Sequence, residues 1–219
     1  VPKKNPLTIE LLCNEARRFA KIQSRQDEPQ LFGVTDGKAV GTYFEHNFRN
    51  HLKAKYSYQE GSSARGIDFP QLNVDTKVTS IRQPQSSCPF KSARQKIYGL
   101  GYSLLVFVYD KQDSPRKKTG RLTILHSIFV ESSRTADYQT TFGLKQILQN
   151  NGNIDDIVAF MKDRFLPADE ITTAKLAEEI MRKPPEIGYL TISNALQWRL
   201  QYRRIIEKAG HVSGLVKIL

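Results

Sequence analysis

Asp68, Asp75 and Lys77 fall within one ten-residue stretch, in a segment whose apolar and polar residues alternate. In a strand, alternate residues point to opposite faces, so Asp75 and Lys77 share one face while Val74, Thr76 and Val78 take the other. The second set can pack beneath a sheet while the charged pair opens on a cleft. Asp68 ends the preceding extended segment, residues 66–69, and the turn through Pro70, Gln71 and Leu72 is short enough to return its carboxylate to Asp75. Two carboxylates that close repel. A divalent cation resolves the repulsion, and hard oxygen donors suit Mg2+, which takes a few carboxylates and keeps several waters for a substrate phosphate. An ammonium beside them can orient an attacking water, aid its deprotonation or stabilise charge at phosphorus. Metal and lysine together can hydrolyse a phosphodiester.

Asp68 followed by Asp75-Thr-Lys77 resembles the PD-(D/E)xK signature of type II restriction endonucleases. Within that superfamily, the spacing from Asp68 to Lys77 is most similar to the methyl-directed mismatch-repair nicking endonuclease and its restriction-enzyme relatives. Those enzymes carry a glutamate on a helix upstream of the motif, in a segment resembling Val40 to Glu45 here, so the resemblance implies Glu45 as a fourth catalytic residue. Two positions depart from the pattern: Ile67 stands where the nominal motif has proline, and Asp75 where the mismatch-repair subgroup has glutamate. The resemblance implies an α/β, restriction-endonuclease-like core with a mixed central sheet flanked by helices. It also implies Mg2+ held by Asp68 and Asp75, water positioned by Lys77, and assistance at the metal by Glu45. The bland alternative is a solvated charge pair on a surface strand.

The elements that must position these residues are legible around them. Residues 7–25 place Leu7, Leu11, Leu12, Ala16, Phe19, Ala20 and Ile22 at helical spacing. Asp36 can cap a second helix with Val40, Phe44, Phe48, His51 and Leu52 facing inward. Residues 66–69 and 73–81 read as short strands, residues 92–98 as a short helix closed by Gly99 and Gly101, and residues 102–109 and 121–130 as apolar strands of the central sheet. Helical patterns follow at 136–149, 153–165, 170–182 and 192–209. Pro167 marks a seam, giving an expected nuclease core over residues 1–165 and a C-terminal helical recognition segment over 166–219, either separate from the core or integral to it.

The chain has 219 residues, enough for one substantial core, and 33 basic against 22 acidic residues give a net charge of +11. Such a surface attracts polyanions, nucleic acid above all. Cys13 and Cys88 belong to no metal-ligand or disulfide pattern. The N-terminal residues carry no apolar signal core, and the longest apolar run, residues 104–109, is far below the ~20 residues that span a membrane. A cytoplasmic protein of a prokaryotic cell, without a membrane partner, is expected.

Two segments are candidates for holding DNA. After the motif, Arg82, Lys91 and Arg94 can meet phosphates, and Gln83 and Gln85 carry the paired donor and acceptor that read adenine; an ordinary polar loop is the competing reading. In the tail, residues 172–182 and 192–209 resemble a helix-turn-helix or winged helix, with Asn194, Gln197, Gln201, Arg204 and Lys208 opposite an apolar stripe and residues 213–218 as a small wing. An amphipathic packing helix is the alternative there, since residues 166–219 hold eight basic and six acidic side chains. The expected activity is sequence-specific, Mg2+-dependent cleavage of double-stranded DNA by a type II restriction endonuclease acting as a homodimer. A partner-activated repair nickase and a non-catalytic DNA-binding regulator are the competing functions.

Overall fold

The structure, a computed structural model, describes residues 4–61, 66–87, 92–193 and 198–219. Its first elements are β1 (Asn5–Pro6), α1 (Ile9–Gln23), β2 (Asp27–Glu28), α2 (Gly37–Lys53), β3 (Tyr56–Ser57) and β4 (Val74–Ser80). Then come β5 (Gln85–Ser87), α3 (Arg94–Tyr98), β6 (Ser103–Ser114) and β7 (Thr119–Val130). The remainder comprises α4 (Tyr138–Gln149), α5 (Ile154–Asp163), α6 (Glu170–Arg182), β8 (Thr191–Ile192), β9 (Arg199–Gln201), α7 (Arg203–Lys208) and β10 (Leu215–Lys217). The expected mixed α/β core, a central sheet with flanking helices, is the observed one. By contact the chain forms two compact units, Val1–Ser86 with Leu104–Val130 and Ala209–Leu219, and Ser87–Ser103 with Glu131–Lys208.

The first unit holds the central sheet, in the order β10-β7-β6-β4 with β2 also on β7. Thr8 caps α1 by accepting Leu11 N–H, and Asp36 caps α2 by accepting Lys38 N–H. The inward stripes of both helices meet the sheet in an aromatic cluster: Phe19 lies 5.1 Å from Phe44, and Phe44 lies 4.8 Å from Phe107 of β6. Each such ring, fully buried, contributes roughly 1.5–3 kcal/mol. β6 and β7 run on past the expected ends into the polar turn, and their register shifts between Val108 and Tyr109, where Leu125 is skipped. That extra residue changes which side of β7 faces the core, so Leu122 and Ile124 before it and Phe129 after it all reach the same cluster. Glu15 of α1 is buried under Arg18, His51, Lys55 and Tyr56. Burial opposes its charge, but the hydrogen bonds from Lys55, His51 and Tyr56 prevail and bring the carboxyl down to about 2.

The second unit packs α3, α4, α5 and α6 around Ile97, Leu144, Ile157, Met161, Leu176 and Ile180. Asp137 organises it: one carboxylate oxygen takes Thr140 N–H and Oγ1–H at 2.8 Å, capping α4, and the other takes Ile192 N–H at 2.8 Å. Asp137→Ala therefore leaves buried donors without acceptors and is expected to cost about 3 kcal/mol, measured by urea denaturation.

The long helix expected over 192–209 does not form. Thr191 pairs with Gln201 and Ile192 with Leu200 in an antiparallel β8–β9 ladder, and among the described residues of that range only Arg203–Lys208 is helical. Leu200 and Tyr202 are buried at the two-residue step of a strand, and of the described positions read as one helical stripe only Ile205 lies in a helix. Nor is the following segment a wing. β10 pairs with β7 through Leu215 and Val130, Val216 and Phe129, and Lys217 and Ile128, as a strand of the central sheet.

Candidate active site

Phe69 and Val74 exchange both backbone hydrogen bonds, at 2.9 and 3.2 Å, closing a tight hairpin at the entrance to β4. Asn73 makes the closure with φ 53°, a left-handed conformation that asparagine tolerates better than most residues. In this register Asp68 stands across from Asp75. The two are clasped: Thr76 N–H donates to Asp68 Oδ2 at 3.0 Å, and the Asp68 backbone N–H reaches the Asp75 carboxyl. Phe69 and Val74 anchor the hairpin in the core.

Asp75 and Lys77 share a face, with Lys77 Nζ 2.7 Å from Asp75 Oδ2. Asp75 is deeper than a carboxylate opening on a cleft, at 4% exposure. Its Oδ2 has the ion contact with Lys77 but no aligned hydrogen bond. Burial raises the Asp75 carboxyl above its ordinary range against the pull of Lys77.

Glu45 arrives from α2. That helix packs on β4 at Gly41, where a Cβ would sit in ordinary contact, 3.7 Å from Val78 O. One turn later Glu45 is half-buried beside the hairpin. Burial and the charge of Asp68 push its carboxyl up to about 7, overcoming Lys77 and Arg49. The structure thus brings Glu45, Asp68, Asp75 and Lys77 into one electrostatic group. Arg49 also belongs to it; sequence reasoning passed over it, although its place four residues after Glu45 on a helix was a usable signal.

The remaining candidates are dispersed. Arg82 and Gln83 are exposed and line, with Ser80, Tyr109 and Gln112, a cleft of about 800 Å3 in the first unit. Gln85 is half-buried, its backbone N–H and carbonyl both bonded to the Thr79 hydroxyl. Arg94 is engaged with Glu179 at 2.6 Å and would have to release it to meet a phosphate. Gln201 is exposed on β9, and Arg204 lies over the ring of Tyr138. Lys91, Asn194 and Gln197 lie outside the described residues.

An α/β core that carries facing carboxylates, a lysine one strand step away and a helix-borne glutamate is restriction-endonuclease-like. The family described as Type II restriction enzyme NspV matches residues 6–217, and the chain belongs to it. It is 62% identical over 212 residues, 97% of this chain and 96% of the relative, to the Type II restriction enzyme NspV of Nostoc sp. (strain ATCC 29411 / PCC 7524). No solved structure matches the chain.

Proposed function

We propose that this type II restriction enzyme hydrolyses phosphodiester bonds in both strands of a specific double-stranded DNA sequence, with Mg2+ held by Asp68 and Asp75. The observation that carries the reading is the clasped hairpin, in which two facing carboxylates stand together and the buried one pairs with the Lys77 ammonium. Type II restriction enzymes generally use a divalent metal. The donor set here is hard oxygen alone, and among the described residues no three His, Cys, Asp or Glu side chains gather as in a closed metal centre. Two carboxylates with the other positions left to water and phosphate suit Mg2+. Bound there, the ion would polarise the phosphoryl group and make water a stronger nucleophile.

The chain's own groups supply the rest. Lys77 orients the attacking water and offsets charge developing at phosphorus. Glu45, with a carboxyl near 7, takes up or releases a proton at neutral pH, and Arg49 steadies its ionised form. Arg82 and Gln83 line the cleft that we assign to the DNA. No helix among the described residues is long and apolar enough to cross a membrane, and we place the enzyme with its DNA in the cytoplasm of a prokaryotic cell.

Supercoiled plasmid incubated with Mg2+ should give discrete linear fragments sharing one end sequence, and EDTA should abolish them. Linear product appearing without accumulated nicked circles indicates paired cuts by a two-fold dimer. Nicked circles alone would point to a nickase, and cleavage undiminished by EDTA would overturn the metal assignment.

A further inference from the structure

Three arginines elsewhere in the protein show the usual arrangement, an acceptor within the chain. Arg17 Nε donates to Ile218 O at 2.7 Å, Arg121 pairs with Asp27 at 2.7 Å, and Arg134 donates to Ile187 O at 3.2 Å. Arg204 differs. Its Nε is buried with no hydrogen-bond partner, and among the described residues its guanidinium makes no hydrogen bond or ion pair. Nearby carboxylates are committed elsewhere: Glu207 pairs with Arg203, and both oxygens of Asp137 hold backbone N–H groups.

An aromatic ring holds Arg204 instead. Its Cζ lies 3.8 Å from the ring centroid of Tyr138, which stacks on Phe142 at 5.6 Å with the planes 12° apart. Both ends of the contact are anchored. Tyr138 opens α4, and its N–H donates to Leu190 O at 2.8 Å; Arg204 is bracketed by Tyr202 and Ile205, both fully buried. A guanidinium held 3.8 Å over a ring centroid has its rotamer chosen in advance, so little freedom remains to be lost on binding. Its Nε–H is withdrawn from water without an acceptor, an unfavourable state, and the guanidinium's remaining donors are left to an acceptor from outside the chain.

We propose that Tyr138 is a positioning residue whose ring holds Arg204 ready for a pair of acceptors on DNA, either phosphate oxygens or the O6/N7 edge of guanine. This rests on the reading of the chain as a DNA-cleaving enzyme. In place of the long recognition helix, which the described residues do not form, it puts a cation held on an aromatic platform.

The test compares Arg204→Gln, Tyr138→Leu, Tyr138→Phe and the Arg204→Gln/Tyr138→Leu double variant in steady-state cleavage of plasmid DNA, with melting temperatures alongside. Arg204→Gln and Tyr138→Leu should each raise KM roughly tenfold with little change in kcat, and the double variant should be no worse than Arg204→Gln alone. Tyr138→Phe, which keeps the ring face, should retain the wild-type KM. A merely structural Tyr138 would lower the melting temperature without this coupling. If Tyr138→Leu does not fold, Arg204→Lys carries the test, since it keeps the charge but loses the planar fork and should match Arg204→Gln. A phosphate partner should lower the salt slope of binding by about one in Arg204→Gln. A guanine partner should leave that slope unchanged, while 7-deazaguanine in the cut site should raise the wild-type KM as Arg204→Gln does. An unchanged KM in Arg204→Gln, multiplying effects in the double variant, or a Tyr138→Phe as impaired as Tyr138→Leu would overturn the proposal. Should the wild type bind plasmid but fail to cut it with any divalent metal, the nuclease reading falls, and the same coupling is read from Kd in mobility shifts. Failure to bind at all removes both.

Discussion

Lys77→Ala is expected to reduce cleavage by about 10³-fold while leaving DNA affinity within roughly threefold. Lys77 Nζ sits 2.7 Å from Asp75 Oδ2, and among the described residues no second cation lies at ion-pair distance from that carboxylate, which is 4% exposed. Deleting the ammonium removes the group that orients the nucleophile and offsets transition-state charge. It also removes the cation that opposes the upward drift of the Asp75 carboxyl, so Asp75 is held protonated to still higher pH and is a poorer metal ligand. Binding is spared because the residues assigned to DNA lie elsewhere, with Arg82 and Gln83 in the cleft. Single-turnover cleavage with excess enzyme isolates the chemical step, and mobility shifts in Ca2+ measure affinity without it. Full cleavage by the variant would remove Lys77 from the reaction.

Glu45→Gln should separate stability from activity. The Glu45 carboxyl, raised to about 7 from an ordinary 4.5, is one that folding disfavours as an anion. Its contribution to stability is complete below the unfolded value near 4.5 and is lost as pH rises through about 7. An amide cannot ionise, so the variant should match wild type at pH 4 and exceed it at pH 8 by about 2 kcal/mol, the full shift being reduced because the site is only partly shielded from solvent. Melting in EDTA should show a gain of roughly 5 °C at pH 8. Cleavage should nevertheless fall about 10- to 100-fold, as happens when a group supporting a metal site is neutralised. Identical melting curves at pH 8 would show that Glu45 is not strained by its surroundings.

The parts of this architecture legible in the sequence are those whose pattern is local. Val40, Phe44, Phe48 and Leu52 recur at one turn, so α2 and the place of Glu45 on it follow from spacing. The common face of Asp75 and Lys77 follows from strand alternation. The clasp between the hairpin arms does not, because it depends on backbone N–H groups of Asp68 and Thr76 and on the left-handed turn at Asn73. Nor does the depth of Asp75, which is set by packing around the hairpin. The tail misled for a different reason: Trp198, Tyr202, Ile205 and Ala209 fit a helical stripe, but pairing of β9 with β8 overrides the preference of the first part. β1, β2 and β8 are two residues long and have no period to detect.

The placement of β10 bears on how the enzyme comes into being. Its ladder partner β7 ends at Val130, and the whole of Glu131–Lys208 is synthesised before Leu215–Lys217 exists. A nascent chain that has reached Lys208 therefore carries a sheet with one open edge along β7, a template for unwanted strand pairing. Closing that edge requires contacts between residues more than eighty positions apart, which slows assembly. The unit bearing the candidate catalytic residues is thus not a cassette that can be excised at a single boundary: cutting after α7 removes a strand from its sheet.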